Sequence, residues 1–213
     1  MSPDEHSFTP RHLLPEPLLP ALQYPRILHP NSINVNDRIL DFYVNQIVPA
    51  ITKRASQAVQ EGDDDQNYGS SATRDLEALQ AISRRVHYGL FVAESKFISD
   101  PSAFIPHILN PDPDKLLALI TKPAVEAALL KRLAHKALTY GQDIGAQADQ
   151  ATMKIDVDEV VKLYEQFVIP LTKVRPRRLR PTDVFEVCET DYLLDRLKGL
   201  SEAEIESLKS QKA

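Results

Sequence analysis

A proline-free stretch of 27 residues, from Ser71 to Phe97, constrains the fold more than any other feature of this sequence. It holds a single glycine, and its apolar or small residues recur every three or four positions, which places them on one face of an α-helix. The residues on that face are Leu76, Leu79, Ser83, Val86, Leu90, Ala93 and Phe97. We therefore expect a helix about 40 Å long, with the other elements packed along it.

The rest of the chain predicts an all-α fold. Glycine is scarce, at 6 of 213 residues, and the 16 prolines lie mostly in clusters that separate helical patterns. Residues 61–70 are predicted to form a loop before the long helix. The remaining helices are predicted in residues 34–58, 101–109, 112–121, 122–141, 156–173 and 201–211, with Asp156 as an N-cap and Ser201 and Glu204 as a capping box.

Residues 1–31 differ from the rest, because they contain seven prolines. Proline at that density opposes helix and favours extended backbone. We expect an extended, proline-rich N-terminal segment whose leucines, in "LLPEPLLPALQYPRILHP", lie over a helical domain formed by residues 32–213.

Two short sequences resemble each other: "YVNQIVP" from Tyr43 to Pro49 and "YEQFVIP" from Tyr164 to Pro170. Each carries a proline late in a helical pattern, where the ring removes a backbone donor and clashes with the preceding turn. We predict an amphipathic helix with a proline kink at both sites. Ile39, Phe42, Tyr43 and Ile47 form the apolar face of the first.

Charge and cysteine content limit the function classes. The formal net charge of −5 argues against a general nucleic-acid-binding protein. Cys188 is the one cysteine, which excludes an internal disulfide and is typical of a reducing compartment. No apolar run approaches the roughly 18 residues of a membrane span, and the N-terminus lacks the pattern of a secretory signal. We expect a cytoplasmic protein that binds neither nucleic acid nor membrane.

One line along the long helix combines two cations with the smallest residue: Arg85, Tyr88, Gly89, Val92 and Lys96. Arg85 and Lys96 are about 20° out of line and about 16 Å apart along the axis, so their long side chains can converge above Gly89. Solvated cations beside a glycine that admits a neighbouring helix explain this pattern. A pocket for a small dianion, with the arginine gripping a carboxylate, explains it equally.

Other chemistry leaves little signal. No HExxH, GxSxG or glycine-rich phosphate loop occurs, so no metal site, covalent nucleophile or cofactor is expected. Cations without a nucleophile suit catalysis by positioning and electrostatics. The stretch "VRPRRLRPTDVF" contains four arginines and two prolines, and we predict an irregular insertion over residues 174–185. It is interpreted as a solvated basic loop or, alternatively, as a docking site for an anion.

Four blocks of sequence carry a family resemblance: "INVNDRI", "YGSSATRDLEALQAISRRVHYGLFVAESKF", "AVEAALLKRL" and "VIPLTK". They resemble the all-helical chorismate mutases of fungi and plants, from "SPDEH" almost to the end of the chain. The resemblance implies a helical bundle that catalyses the Claisen rearrangement of chorismate to prephenate in the shikimate pathway, toward phenylalanine and tyrosine. Such an enzyme holds the folded substrate and stabilises charge on its ether oxygen.

The resemblance also implies residue roles. Arg85 corresponds to the arginine that binds a substrate carboxylate. Lys96 and a protonated Glu189 correspond to donors to the ether oxygen. Glu126 corresponds to the glutamate that takes the ring hydroxyl, and Thr172 to the threonine that closes the site.

The family also binds tyrosine and tryptophan as opposing effectors at a dimer interface, which implies a homodimer here. Asn67, Gly69, Ser70 and Thr73 correspond to its effector loop. A loop that runs into a helix start offers free backbone N–H groups to a carboxylate.

Departures from the family pattern predict weak or no turnover. Lys122 stands in the substrate site where the family carries an asparagine, and Asp156 replaces a threonine linked to effector switching. Thr172 and Glu189 are seventeen positions apart instead of one helical turn. We expect the first helix to end near Thr172 or Lys173. A second should begin between residues 186 and 190 and carry Tyr192, Leu193 and Leu194.

The family's N-terminal helices, which supply a further arginine, are expected to be missing from this chain. Their absence would leave apolar surface of residues 34–58 and 71–97 uncovered. Two hypotheses follow: a chorismate mutase with impaired activity, or a non-catalytic helical paralogue that dimerises and regulates on the same scaffold.

Overall fold

The structure is a computed structural model that describes residues 5–20, 25–52, 67–141, 157–173 and 188–210. In those ranges it contains helices and no β-strand, which confirms the all-α prediction. Helix α1 comprises Asn36–Phe42, a π-helical turn Tyr43–Ile47 and further helix to residue 52. The next helices are α2 (Tyr68–Ser99), α3 (Pro101–Leu109), α4 (Pro113–Ile120) and α5 (Pro123–Gly141). Helix α6 comprises Val157–Leu163, a π-helical turn Tyr164–Val168 and Ile169–Lys173, and is followed by α7 (Cys188–Asp195) and α8 (Glu202–Ser210).

Helix α2 is the axis of the fold, and it packs against α1, α3, α6 and α7. Six of the seven residues predicted for its inner face are buried: Leu79, Ser83, Val86, Leu90, Ala93 and Phe97. The prediction is wrong for Leu76, which is 44% exposed. Periodicity identifies the face of a helix, but it does not say where the neighbouring helices stop covering it.

Helix α2 also begins earlier than predicted. Its first residue is Tyr68, so the loop prediction for residues 61–70 is wrong at its last three positions. The Ser71 N–H donates to the Asn67 carbonyl at 3.0 Å, which closes the first turn. Once a long helix exists, each added residue gains a hydrogen bond without a new nucleation cost, and so the helix extends.

A π-helical turn precedes the proline at each of the two sites where a kink is predicted. The N–H groups of Val48 and Ile169 bond the carbonyls five residues earlier, at Tyr43 and Tyr164. The wider turn lets each helix continue into the following proline, whose ring would clash with an ordinary α-helical turn. The two kinked helices meet where the rings of Phe42 and Phe167 stack, 4.0 Å between centroids.

The N-terminal segment contacts the helices at its two ends. The His6 carbonyl accepts hydrogen bonds from the side chains of Asn36 (3.2 Å) and Gln80 (3.0 Å). Near residue 30, the His29 N–H donates to the Tyr192 hydroxyl at 2.9 Å. Between these ends the expected cover of leucines is absent, because Leu13, Leu14, Leu18 and Leu19 are exposed. The prediction is wrong for these four leucines, whereas Phe8 and Leu28, close to the two anchors, pack against the core.

Helix ends mostly follow the sequence signals. The Asp100 and Asp112 side chains cap α3 and α4 by accepting from Ala103 N–H and Lys115 N–H. The capping box before α8 is confirmed: Ser201 N–H donates to Glu204 Oε2 at 2.7 Å, and Glu204 N–H donates to Ser201 Oγ at 3.4 Å.

The described residues of α6 extend to Lys173. Helix α7, described from Cys188, carries Tyr192, Leu193 and Leu194 as predicted. Asp156 and the stretch 174–185 lie outside the described residues.

Exposed apolar side chains line one side of α1. They are Leu40, Val44 and Ile51, between 42% and 63% exposed. The expected uncovered apolar surface is therefore present on α1.

A buried polar network joins α1 to α2. Ser83 Oγ donates to Asn36 Oδ1 at 2.6 Å, and the Val35 N–H donates to His87 Nε2 at 3.2 Å. His87 Nδ1 lies 2.9 Å from the Ser83 carbonyl, so a neutral ring with its proton on Nδ1 fits both contacts. Burial lowers the pKa of His87 to about 4, the hydrogen bond to Ser83 raises it, and nearby His6 lowers it.

This network predicts an acid-sensitive fold. The unfolded chain binds a proton at His87 below pH ~6.5 and the folded chain does not, so folding loses stability as the pH falls from about 6.5 toward 4. The loss attributable to His87 should approach about 3 kcal/mol at most. Urea denaturation of His87→Gln should show lower stability than wild type at pH 7.5 and a flatter decline at acid pH. His135→Gln, at an exposed position on α5, is the control. Parallel acid limbs for wild type and His87→Gln would contradict the prediction.

Candidate functional site

A side chain of α7 packs against α2 at Gly89. Glu189 is buried, at 4% exposure, and its carboxyl lies directly against the Gly89 backbone. A Cβ at position 89 would lie 2.8 Å from Glu189 Oε1 and 2.9 Å from its Cγ, closer than real Cβ contacts. Of the two interpretations of this glycine, a neighbouring helix is therefore the one observed: the space above Gly89 is filled by the Glu189 side chain of α7.

Lys96 lies two turns further along α2 and is half-buried. Its Nζ donates to the carbonyl of Ile120, at the end of α4. Burial lowers the pKa of the Lys96 ammonium, the Glu189 carboxylate raises it, and the Lys122 cation lowers it. Lys96, Glu189 and Lys122 therefore form one electrostatic neighbourhood.

The segment between α4 and α5 lies beside Lys96. Lys122 is exposed, and its carbonyl accepts from the Glu126 N–H at 3.2 Å, so Glu126 stands on the first turn of α5. Thr121 was not a predicted site residue. Its hydroxyl oxygen is buried, and no described group is hydrogen-bonded to it. No sequence signal would have singled out this threonine.

Arg85 lies one turn before Gly89 on the same face of α2 and is half-buried. Within the described ranges, its guanidinium makes no hydrogen bond or ion pair. The neighbouring Arg84 differs: it is 57% exposed and lies 3.9 Å from a Glu5 carboxylate oxygen. An arginine with five unused donors on a half-buried face can grip a carboxylate from a ligand.

Thr172 lies in the last turn of α6, where it is buried and its hydroxyl donates to the Ile169 carbonyl at 2.6 Å. That turn packs against both α2 and α7. The seventeen positions between Thr172 and Glu189 therefore do not keep the helices that carry them apart.

The predicted substrate residues thus fall into two groups. Lys96, Lys122 and Glu189 interact electrostatically, and Glu189 also lies against Gly89. Arg85 stands on α2 itself, Thr172 on α6 and Glu126 on α5. Such an arrangement can hold a small dianion along α2, with a guanidinium at one end, an ammonium at the other and a carboxyl between them.

The predicted effector residues lie at the opposite end of α2. Gly69 and Gly89 are about 30 Å apart along the helix axis. Gly69 and Ser70 belong to the first helical turn, so the prediction that they form a loop is wrong. Asn67 is the N-cap but makes no side-chain capping bond, and Thr73 Oγ1 donates to the Gly69 carbonyl at 2.9 Å. Asn67, Gly69, Ser70 and Thr73 are all exposed.

A buried ion pair close to the site was missed from the sequence. Arg196, just after α7, donates to both carboxylate oxygens of Glu94 on α2, at 2.6 and 2.8 Å. The Tyr192 hydroxyl donates to Glu94 Oε2 at 2.6 Å, and burial raises the pKa of Tyr192. One signal was available: Glu94 stands between Leu90 and Phe97 on the inner face, where a carboxylate requires a partner.

A cavity of about 210 Å³ lies elsewhere on α2, beneath the N-terminal segment. Its lining residues are Glu5, His6, Ser83, Arg84, His87, Tyr88 and Phe91. None of these is a predicted catalytic or effector residue, and Tyr88 is the one lining residue that belongs to the line from Arg85 to Lys96.

Among the described residues, His, Cys, Asp and Glu side chains form no group arranged to hold a metal ion. No helix in the described ranges combines the length and apolarity needed to cross a bilayer.

Known proteins resemble this chain over most of its length. The chorismate mutase of Emericella nidulans is 44% identical over 198 residues, which cover 93% of this chain and 68% of that protein. The chorismate mutase of Saccharomyces cerevisiae is 41% identical over 199 residues, covering 92% and 69%. The chloroplastic chorismate mutase 1 of Zea mays is 43% identical over 178 residues, covering 81% and 54%.

Solved structures agree in fold. Aro7p chorismate mutase from Candida albicans, in complex with L-Trp, superposes with a TM-score of 0.75 at 38% identity, covering 96% of this chain and 70% of that one. AtCM1 with tyrosine in its allosteric site superposes with a TM-score of 0.69 at 40% identity, covering 92% and 69%. The model of the family Chorismate mutase type II matches residues 67–175, from the start of α2 to just beyond α6. On sequence and fold together, this chain belongs to the chorismate mutase type II family.

Proposed function

We propose that this chain rearranges chorismate to prephenate, with the substrate held along α2 between Arg85 and Lys96. The observation that carries the proposal is the Glu189 carboxyl, which lies against Gly89 and within the electrostatic neighbourhood of Lys96. A carboxyl and an ammonium held together beside a half-buried arginine suit a substrate that carries two carboxylates and develops charge on an ether oxygen.

Each cation has a separate task in this proposal. Arg85 binds one substrate carboxylate through two parallel N–H donors, which fixes the orientation of the substrate as well as its charge. Lys96 gives one of its three N–H donors to the Ile120 carbonyl, so two remain for the ether oxygen. Both tasks are electrostatic and need no covalent intermediate.

The remaining site residues complete the pocket. A protonated Glu189 donates to the ether oxygen from the side of α7, and Glu126 accepts the ring hydroxyl from α5. Thr172 closes the site from α6. Lys122 adds a further cation for the second carboxylate. The Thr121 hydroxyl, buried beside Lys122, is an additional donor that the sequence did not suggest.

The alternative, a non-catalytic paralogue on the same scaffold, has no observation in its favour. The electrostatic interaction of Lys96 with Glu189, on a helix that also carries the half-buried Arg85, supports the catalytic proposal instead. The weak turnover expected from the departures stays a prediction.

We also propose that the start of α2 binds tyrosine and tryptophan as effectors in a cytoplasmic homodimer. Support comes from similar proteins: Aro7p of Candida albicans was solved with L-Trp, and AtCM1 with tyrosine or phenylalanine in its allosteric site. The exposed N–H groups of a 32-residue helix attract a carboxylate, and Thr73 is one turn from Gly69.

The roles of the cations are testable by single substitutions. Arg85→Ala should lower kcat/KM for chorismate about 10- to 100-fold, because it removes a charge-assisted pair worth about 1.5–3 kcal/mol. Arg85→Lys should recover only part of that loss, because a point charge cannot make the two parallel bonds. Arg84→Ala removes an adjacent, mostly exposed arginine and should change kcat/KM less than twofold. Equal losses at both arginines would rule out a specific role for Arg85.

Gly89→Ala should separate activity from stability. Alanine is favoured over glycine within a helix by about 1 kcal/mol, which offsets the cost of moving the flexible Glu189 side chain. The denaturation midpoint should therefore change little, while kcat falls at least tenfold because the Glu189 carboxyl is displaced. Gly69→Ala, where an added Cβ meets nothing within 4 Å, is the control for the stability effect alone. Normal kcat in folded Gly89→Ala would show that the position of Glu189 does not matter.

Thr73→Val should weaken binding of tyrosine and tryptophan severalfold, measured by titration calorimetry, because it removes a hydroxyl from the proposed effector site. Thr139→Val is the matched control, since Thr139 Oγ1 makes the same bond to a carbonyl one turn earlier, at His135 on α5. Unchanged affinity in Thr73→Val would place the effectors elsewhere.

A further inference from the structure

We propose that Glu94, Tyr192 and Arg196 form a clamp that positions the Glu189 carboxyl against Gly89, an inference that rests on the proposed function. None of the three clamp residues is among the predicted substrate or effector residues. Their role is to fix the register of α7 along α2, on which the location of Glu189 depends.

The geometry places the clamp and Glu189 on the same side of α7. Tyr192 and Arg196 follow Glu189 by three and seven positions, the spacing of one helical face. On α2, Gly89 and Glu94 are five positions apart, and each contacts this face of α7: Gly89 through Glu189, and Glu94 through both clamp donors. The two helices are thus joined at two neighbouring points, one a close backbone approach and the other a hydrogen-bonded ion pair.

The clamp is buried and directional. The side chains of Arg196 and Glu94 are 14% and 3% exposed. Arg196 uses two nitrogens on the two carboxylate oxygens, a fork geometry that tolerates little sliding. Its guanidinium also lies 4.7 Å from the centroid of the Phe97 ring, which restricts it from a third direction.

Tyr192 extends the clamp to the N-terminal segment. Its hydroxyl donates to Glu94 and accepts from the His29 N–H, so three parts of the chain meet at one oxygen. His29 Nε2 lies 3.0 Å from the Lys198 carbonyl, just after the clamp, which ties the same segment to the chain beyond α7. A shift of α7 by one residue would break all of these contacts, and a misplacement of a catalytic group by 1 Å can cost about 10²-fold in rate.

The test is a pair of double-mutant cycles with Gly89→Ala. Arg196→Lys keeps the charge and removes the fork, and Tyr192→Phe removes a single hydroxyl. Each is combined with Gly89→Ala and measured by urea denaturation and by chorismate turnover. Ser83→Ala is the matched control, because it disrupts a buried polar network between α1 and α2 that does not include α7.

If the clamp positions Glu189, Arg196→Lys should lower kcat at least tenfold and change KM less than threefold. Gly89→Ala should then add less than a threefold further loss, because Glu189 is already displaced. In the Arg196→Lys background, Gly89→Ala should raise the denaturation midpoint more than it does in the wild type, because the Glu189 carboxyl is no longer fixed where the alanine Cβ would meet it. In the Ser83→Ala background, Gly89→Ala should change the denaturation midpoint and kcat as much as it does in the wild type. Tyr192→Phe should behave like Arg196→Lys with smaller losses, and it serves as the test if Arg196→Lys does not fold.

Independent effects in the clamp cycles, on both midpoint and kcat, would overturn the positioning role and leave Glu94, Tyr192 and Arg196 as stabilising residues only. Failure of the proposed function looks different. In that case Glu189→Gln leaves turnover unchanged, or the unmodified chain shows no turnover. The double-mutant cycle measured by urea denaturation still reports whether the clamp fixes Glu189 against Gly89.

Discussion

The contact between Gly89 and Glu189 is the constraint on which the rest of this structure depends. A carboxyl group packed against the backbone of another helix requires that the second helix present no side chain there. Glycine inside a helix costs about 1 kcal/mol relative to alanine, and helix α2 tolerates this cost because its inner face is buried on both sides of Gly89. Val86, Leu90, Ala93 and Phe97 provide that burial. The apolar face of α2 therefore supplies the stability that allows α7 to approach so closely.

The charged side chains on the inner side of α2 differ in whether they are paired within the protein. Glu94 is buried and fully paired within the protein, by Arg196 and Tyr192, as a carboxylate in a core must be. Arg85 is half-buried and has no partner among the described residues. Lys96 lies between these cases, because a backbone carbonyl satisfies only one of its donors. Helix α2 thus carries one charge that stabilises the fold, on Glu94, and two that are available to a ligand, on Arg85 and Lys96. Burial and pairing within the protein distinguish the first from the other two.

Much of the fold, and part of the site, could be predicted from sequence. Helical periodicity identified the inner face of α2, and two similar motifs identified both sites where a π-helical turn precedes a proline, because each rests on local geometry. Failures occurred where the outcome depends on distant parts of the chain. Leu76 and Leu18 are exposed because no described element covers them. The occupant of the space above Gly89 was also missed, since sequence shows that a glycine makes room but not which side chain enters it.

The spacing of seventeen positions from Thr172 to Glu189 does not decide where α7 docks. Loop-closure entropy rises by only about 0.6 kcal/mol for each doubling of chain length, so this spacing in place of one helical turn costs roughly 1–2 kcal/mol at most. This entropic cost is opposed by burial: Tyr192 and Leu193 of α7, and Leu197 just after it, are almost completely buried. Each such side chain contributes about 1.5–3 kcal/mol. The contacts of α7 with α2 outweigh the entropy of the connection, so Glu189 reaches Gly89 although the sequence pattern separates it from Thr172. An effect of this spacing on the position of Glu189 would therefore act through the precision of the α7 register and not through the docking of α7.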